Sequence, residues 1–149
     1  MLRSGNGFQG QRLGISMEVE LVPIDWLKAH EENRLEKALE LARMTKKLAC
    51  YTKPVLVDRV TGTVLDGHHR HHVGKILNLS LLPVILYDYL DDEKIIVEPW
   101  PNSGLDSLTK QEILDMALSD NLFPPKTSRH TTEWKAPPIN ISLEELAKK

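Results

Sequence analysis

The chain has 149 residues, with 41 % hydrophobic and 27 % charged side chains and a formal net charge of −2. That is enough for one domain with its own core. The composition is ordinary for a soluble globular protein, and no global basic field argues for nucleic-acid binding. No apolar run approaches the ~18 residues of a membrane span. One cysteine, Cys50, excludes an internal disulfide framework and multi-cysteine zinc motifs, and fits a reducing compartment. Cys50 reads as a small buried residue rather than a nucleophile.

Residues 1–17, "MLRSGNGFQGQRLGISM", lack acidic residues and read as a disordered leader, with an organelle transit segment as the alternative to a cytoplasmic location. "MEVELVPIDWL" predicts a short strand that ends in an extended turn at Pro23. "NRLEKALELARMTKKLA" predicts a helix. Asn33 and Glu36 have capping-box spacing, Leu35, Ala38, Leu39 and Ala42 follow one apolar face, and Lys46 and Lys47 suit the C-terminal dipole. "KPVLVDRVTGTVLDG" predicts two strands around a turn at Thr61–Gly62. "HHRHHVGKIL" then predicts a helix with Val73, Ile76 and Leu77 inward. "LLPVILYDYL" and "DEKIIVEPW" predict strands, and "SLTKQEILDMALSD" a helix with Thr109 and Glu112 as its capping box. The stretch "NLFPPKTSRHTTEWKAPP" reads as loop, and "INISLEELAKK" as a strand-like step and a short helix. Interleaved strands and helices around one core over residues 18–149 make a small α/β or α+β domain.

"VLDGHHRHHV", residues 64–73, concentrates four of the six histidines. His68 with His71 or His72 has the spacing of paired zinc ligands on a helix. No glutamate of an H-E-x-x-H motif and no cysteine cluster completes such a site. The phosphate alternative needs less. A strand ends at Leu65, Gly67 permits a tight turn, and the helix starting at His68 offers unpaired N–H groups and its positive dipole end. His69 and Arg70 would add donors, Arg70 as a two-pronged grip. His71 and His72 read as solvated or half-buried. A second cluster, "PPKTSRH", lines up Lys126, Thr127, Ser128, Arg129 and His130, the donors a polyanion needs. In "LKAHEEN", Glu31 reads on its own as a charge before a helix cap.

"VLDGHHR" opening a helix resembles the nucleotide-binding signature of the ParB/sulfiredoxin superfamily, and its D-G-H-H-R form looks like the free serine kinase branch. "LKAHEEN" resembles that branch's K-P-H-E segment, "TKPVLVD" its W-K-P strand, and "PPKTSRH" with "INISLEELAKK" its S-P-K-T-T-R-H loop and final L-E-E-L helix. The four segments occur in the branch's order. Residues 91–122 form a short bridge where some members carry a long insertion, and Ser128 stands where the branch has a second threonine. The resemblance implies a compact α+β domain, a small mixed sheet flanked by helices. It implies transfer of a phosphoryl group from ATP or ADP to L-serine, giving O-phospho-L-serine, with Glu31 as general base. Gly67, His68, His69, Arg70, Lys126, Thr127, Ser128, Arg129 and His130 would hold the nucleotide and its phosphates. Asp66, Trp100 and His130 would contact the substrate. Asp66 could instead hold Mg²⁺ through water, and Trp100 is equally placed for the core. Nucleic acid is not expected as a partner, and the oligomeric state is open. A ParB-like nucleotide-switched module acting on DNA or protein is the competing function. A sulfiredoxin-type reductase is excluded because His68 occupies the place of its cysteine.

Overall fold

A computed structural model describes residues 18–132, 136 and 138–148. The expected leader, residues 1–17, lies outside the described residues. A four-stranded mixed sheet has the order β1 (Glu20–Pro23), β5 (Leu81–Tyr87), β3 (Val55–Asp58), β4 (Val64–Asp66). β1 and β4 run antiparallel to their neighbours, and β3 and β5 are parallel. The connection from β4 to β5 carries helix α2 (His68–Ile76).

The strands read as continuous apolar runs because both faces of the sheet are covered. Val55, Val57, Val64 and Val84 join one core with Ala42 of α1 (Leu35–Leu48), Val73 of α2 and Leu146 of α4 (Leu143–Leu146). Their alternate neighbours Leu65, Ile85 and Tyr87 join a second core with Ile113 and Leu114 of α3 (Lys110–Leu118). A side chain on Gly74 would lie 2.8 Å from Ile24 Cδ1 and Leu82 Cδ2, so its absence sets how closely α2 packs. Two ribbons complete the domain: β2 (Cys50–Tyr51) with β8 (Ile141–Ser142), and β6 (Ile96–Pro99) with β7 (Ser128–Thr131).

Several expectations are corrected. The Asn33–Glu36 capping box does not form, because the N-cap falls on Arg34, which has no side-chain cap bond. Asn33 Oδ1 is instead buried without a hydrogen-bond partner. The inward face of α1 is Ala38, Ala42 and Thr45, while Leu35 and Leu39 are exposed. Small residues face inward because α1 packs closely on α2. Ile76 lies at the exposed end of α2. His71 is buried, not solvated. Cys50 is half-buried. The stretch read as loop contains β7, which adds Ser128–Thr131 to the edge of β6. The capping box of Thr109 and Glu112 forms as expected, and so does the step from β8 into α4.

Candidate active site

The turn after β4 is built on Gly67, whose φ of 103° lies in the left-handed region that glycine adopts without strain. A Cβ there would stand 3.1 Å from Arg70 Nη2, so the guanidinium folds back over the turn. Gly67 offers no side-chain cap to α2. The helix start therefore keeps backbone N–H donors and its positive dipole end for an anion. Tyr51 donates its hydroxyl to the Arg70 carbonyl at 2.7 Å, anchoring the first turn from the opposite ribbon. Burial lowers the Arg70 pKa, opposed by Asp66 and Tyr51; arginine remains a cation throughout.

Glu31 is placed by backbone bonds on both sides. Lys28 N–H donates to Gly62 O at 2.9 Å, and Val64 N–H donates to Lys28 O at 2.8 Å. On the other side Phe123 N–H donates to His30 O at 2.9 Å, and Glu32 N–H donates to Phe123 O at 2.8 Å. The segment is thus sewn between the β3–β4 hairpin and the chain entering the Lys126–Ser128 turn. The Glu31 carboxylate latches that turn. Oε2 accepts the Lys126 N–H at 3.0 Å, and Oε1 accepts the Ser128 N–H and hydroxyl, both at 2.9 Å. Lys126 has a positive φ of 60°, which belongs to the same tight turn. Glu31 precedes α1 by four residues and is no helix-start charge.

Behind this latch three imidazoles meet. His30 is fully buried, 4.5 Å from the His68 ring and 5.7 Å from that of His130. Its Nε2 lies 3.0 Å from Ser128 Oγ. Its backbone N–H donates to His68 Nε2 at 3.2 Å, which puts the His68 ring proton on Nδ1. His130 Nε2 and the buried Tyr89 hydroxyl are 2.7 Å apart. Burial lowers the pKa of His30 to about 4, with the Val64 backbone offsetting part of the effect. Burial and then His30 bring His130 to about 3, and the same causes in the same order hold His68 well below the usual histidine range. All three are neutral at pH 7.

Glu31, the Gly67–Arg70 turn and His130 border a cavity of about 430 Å³, with His30 and Tyr89 behind its wall. Of the expected site residues, Glu31, Asp66, Gly67, His68, His69, Arg70, Trp100, Lys126, Ser128, Arg129 and His130 all line it. Thr127 does not: it is buried, and its hydroxyl donates to Pro124 O at 2.7 Å. Trp100 forms a wall, with Lys126 Nζ 5.4 Å and the Arg129 guanidinium 4.8 Å from its ring centre. Arg129 also pairs with Glu98 at 3.6 Å. Arg34 at the N-cap of α1 and Lys37 in its first turn add two cations that sequence reasoning missed. Tyr89 carried no local signal, whereas His30 stood beside Glu31 in the same short segment. His71, His72 and Lys75 line a second hollow of about 470 Å³ that adjoins the first along Glu31–Asn33. The helical spacing of His68 and His72 therefore builds no shared metal site, and no three His, Cys, Asp or Glu side chains among the described residues are arranged to hold one metal ion.

No family model matches the chain. It is 30 % identical over 86 residues to a ParB-like protein of Sulfolobus acidocaldarius, covering 56 % of this chain and 41 % of that one. It is 29 % identical over 98 residues to an ATP-dependent L-serine kinase of Staphylothermus marinus, covering 63 % and 38 %. The match thus spans about two fifths of the length of these curated relatives. Among solved structures, a free serine kinase in complex with AMP superposes with a TM-score of 0.77 at 16 % identity, over 91 % of this chain and 98 % of that one. A variant free serine kinase in complex with ADP superposes equally well at 15 % identity, over the same shares. No helix among the described residues is long and apolar enough to cross a membrane. The chain has the fold of the free serine kinases, and more than half of it is similar in sequence to a ParB-like protein and to an L-serine kinase.

Proposed function

We propose that this chain phosphorylates free L-serine from ATP or ADP, with Glu31 as the general base. The observation that carries this is the Glu31 carboxylate, held by three hydrogen bonds at the wall of the cavity that also receives the uncapped start of α2. A module that only bound a nucleotide would need the Gly67–Arg70 turn but no latched carboxylate beside it. The similarity to an ATP-dependent L-serine kinase and to free serine kinases in complex with AMP or ADP supports the same choice.

A carboxylate offers about four acceptor sites. Oε1 uses two on Ser128 and Oε2 uses one on Lys126, so the remaining site is on Oε2. There the hydroxyl proton of serine transfers as its oxygen attacks the terminal phosphorus. The bond from phosphorus to the bridging oxygen breaks, and the shortened nucleotide leaves with the electron pair. Phosphoryl transfer depends chiefly on positioning and on neutralising the phosphate oxygens. The first-turn N–H groups of α2, Arg70, Lys126 and Arg129 supply those donors and cations, and His68, His69 and His130 supply or accept single hydrogen bonds. The exposed Asp66 carboxylate at the cavity edge fits Mg²⁺, which binds through one or two carboxylates, waters and substrate phosphates. When bound, Mg²⁺ neutralises phosphate charge. Asp66 would otherwise orient the serine ammonium, and Trp100 would wall the substrate pocket.

The test is incubation of the purified chain with L-serine, Mg²⁺ and either ATP or ADP. O-phospho-L-serine is expected from at least one donor, and none from a serine-containing peptide. Folded protein that forms no phosphoserine with either nucleotide contradicts the assignment.

A further inference from the structure

We infer that His30 is a positioning residue that fixes, through Ser128, which oxygen of Glu31 is free to act as the base. The inference rests on the kinase assignment above. Ser128 Oγ lies between two groups, Glu31 Oε1 at 2.9 Å and His30 Nε2 at 3.0 Å, and has one proton to give. The carboxylate can only accept. The hydroxyl therefore donates to Glu31 Oε1, and the proton in the second contact belongs to His30 Nε2. On this tautomer His30 Nδ1 carries no proton, and the Val64 backbone beside the ring is the competing place for it.

This chain of donors has a consequence at the carboxylate. With Nε2–H directed at it, the Ser128 hydroxyl cannot turn away from Glu31, so both acceptor sites of Oε1 stay filled. Oε2 keeps the one vacant site for the alcohol of the substrate. The same backbone that holds the His30 ring orients its neighbours, since the His30 N–H bonds His68 and its carbonyl accepts from Phe123. The groups packed against the ring are His68, Phe123, His130, Ser128 and the Val64 backbone, with no acidic side chain bonded to it that would favour a cation.

The test is a double-mutant cycle on His30→Leu and Ser128→Ala, read as kcat and as nucleotide Kd. Each single variant is expected to lose about tenfold in kcat, the scale of one hydrogen bond, and His30→Leu, whose side chain lies off the cavity, should change Kd less than about twofold. The double variant should be no slower than Ser128→Ala, because His30 acts through Ser128. His30→Gln, which keeps a donor, should recover part of the loss. Ring-nitrogen NMR of the wild-type protein supplies a readout apart from activity, and Nε2 of His30 should carry the proton. Losses that multiply in the double variant, a parallel fall in nucleotide affinity, or a proton on Nδ1 facing the Val64 backbone would each overturn the role of His30 while phosphoserine formation keeps the kinase assignment intact. Absence of phosphoserine from the wild type overturns both.

Discussion

Arg70 sits where loss of one side chain separates binding from folding. Its guanidinium covers the Gly67 turn, whereas only its backbone carbonyl is used by Tyr51. Arg70→Ala is therefore expected to weaken ATP and ADP binding by about 1.5–3 kcal/mol, the scale of a charge-assisted contact, and to leave the melting temperature within a few degrees. Titration calorimetry beside a thermal melt checks both. His71 is the opposite case. The sequence predicts a solvated or half-buried side chain, but it is buried and faces the second hollow. His71→Ala should cost stability, roughly 1–3 kcal/mol in a urea titration, with nucleotide affinity unchanged. Eleven expected site residues do meet at one cavity, because strand ends, a glycine turn and a helix start are written locally. Thr127 escaped that logic. In a run of polar residues on a tight turn, side chains alternate in direction, and Thr127 turns inward onto Pro124. The direction of a turn side chain depends on φ, which the residue types alone did not reveal.

At the scale of elements, α1 shows how tertiary context overrides periodicity. Leu35 and Leu39 match a helical stripe, yet the buried positions are Ala38 and Ala42, because α2 packs against this face too closely for leucine. Ala38→Leu should therefore destabilise by about 1–3 kcal/mol through overpacking, while Leu39→Ala should change little. Urea midpoints of the two variants decide the matter. The helix start was misplaced for a related reason. Asn33 carries the residue type of a cap, but the bonds that sew the 28–32 segment between the hairpin and Phe123 delay the helix until Leu35. The capping box of α3 was legible, since no neighbouring segment competes with Thr109 and Glu112 for each other. β7 was not, because Ser128–Thr131 is polar and becomes a strand only through pairing with β6.

For the whole molecule, the buried histidines couple stability to pH. His30 and His71 have pKa values lowered to about 4, and His130 to about 3, chiefly by burial, against an ordinary value of 6.5. Between those limits the unfolded chain binds more protons than the folded one, so stability falls as pH falls. It is fully present above about pH 6.5 and is lost progressively toward pH 4, with His130 extending the loss toward pH 3. Charging these buried imidazoles costs more in the folded chain than in the unfolded one, so acidification weakens the fold through each of them. Urea midpoints measured from pH 7.5 to 4 should decline, and a flat profile would contradict neutral burial. The overall architecture was legible because four short motifs in order resemble one superfamily, and the superposition with a free serine kinase agrees. The three-imidazole cluster was not legible, because His30, His68 and His130 are brought together from three distant segments.

The most direct test compares the wild-type chain with Glu31→Gln under saturating L-serine, Mg²⁺ and the better nucleotide, following O-phospho-L-serine by phosphorus NMR. Glutamine keeps the size and one acceptor oxygen but cannot take the proton at neutral pH. The expected result is rapid phosphoserine formation by the wild type, a loss in kcat of about 10²–10⁴-fold in the variant, and nearly unchanged nucleotide affinity. A Glu31→Gln protein that forms phosphoserine at a near-normal rate would contradict the account, leaving Glu31 as a latch for the Lys126–Ser128 turn and nothing more.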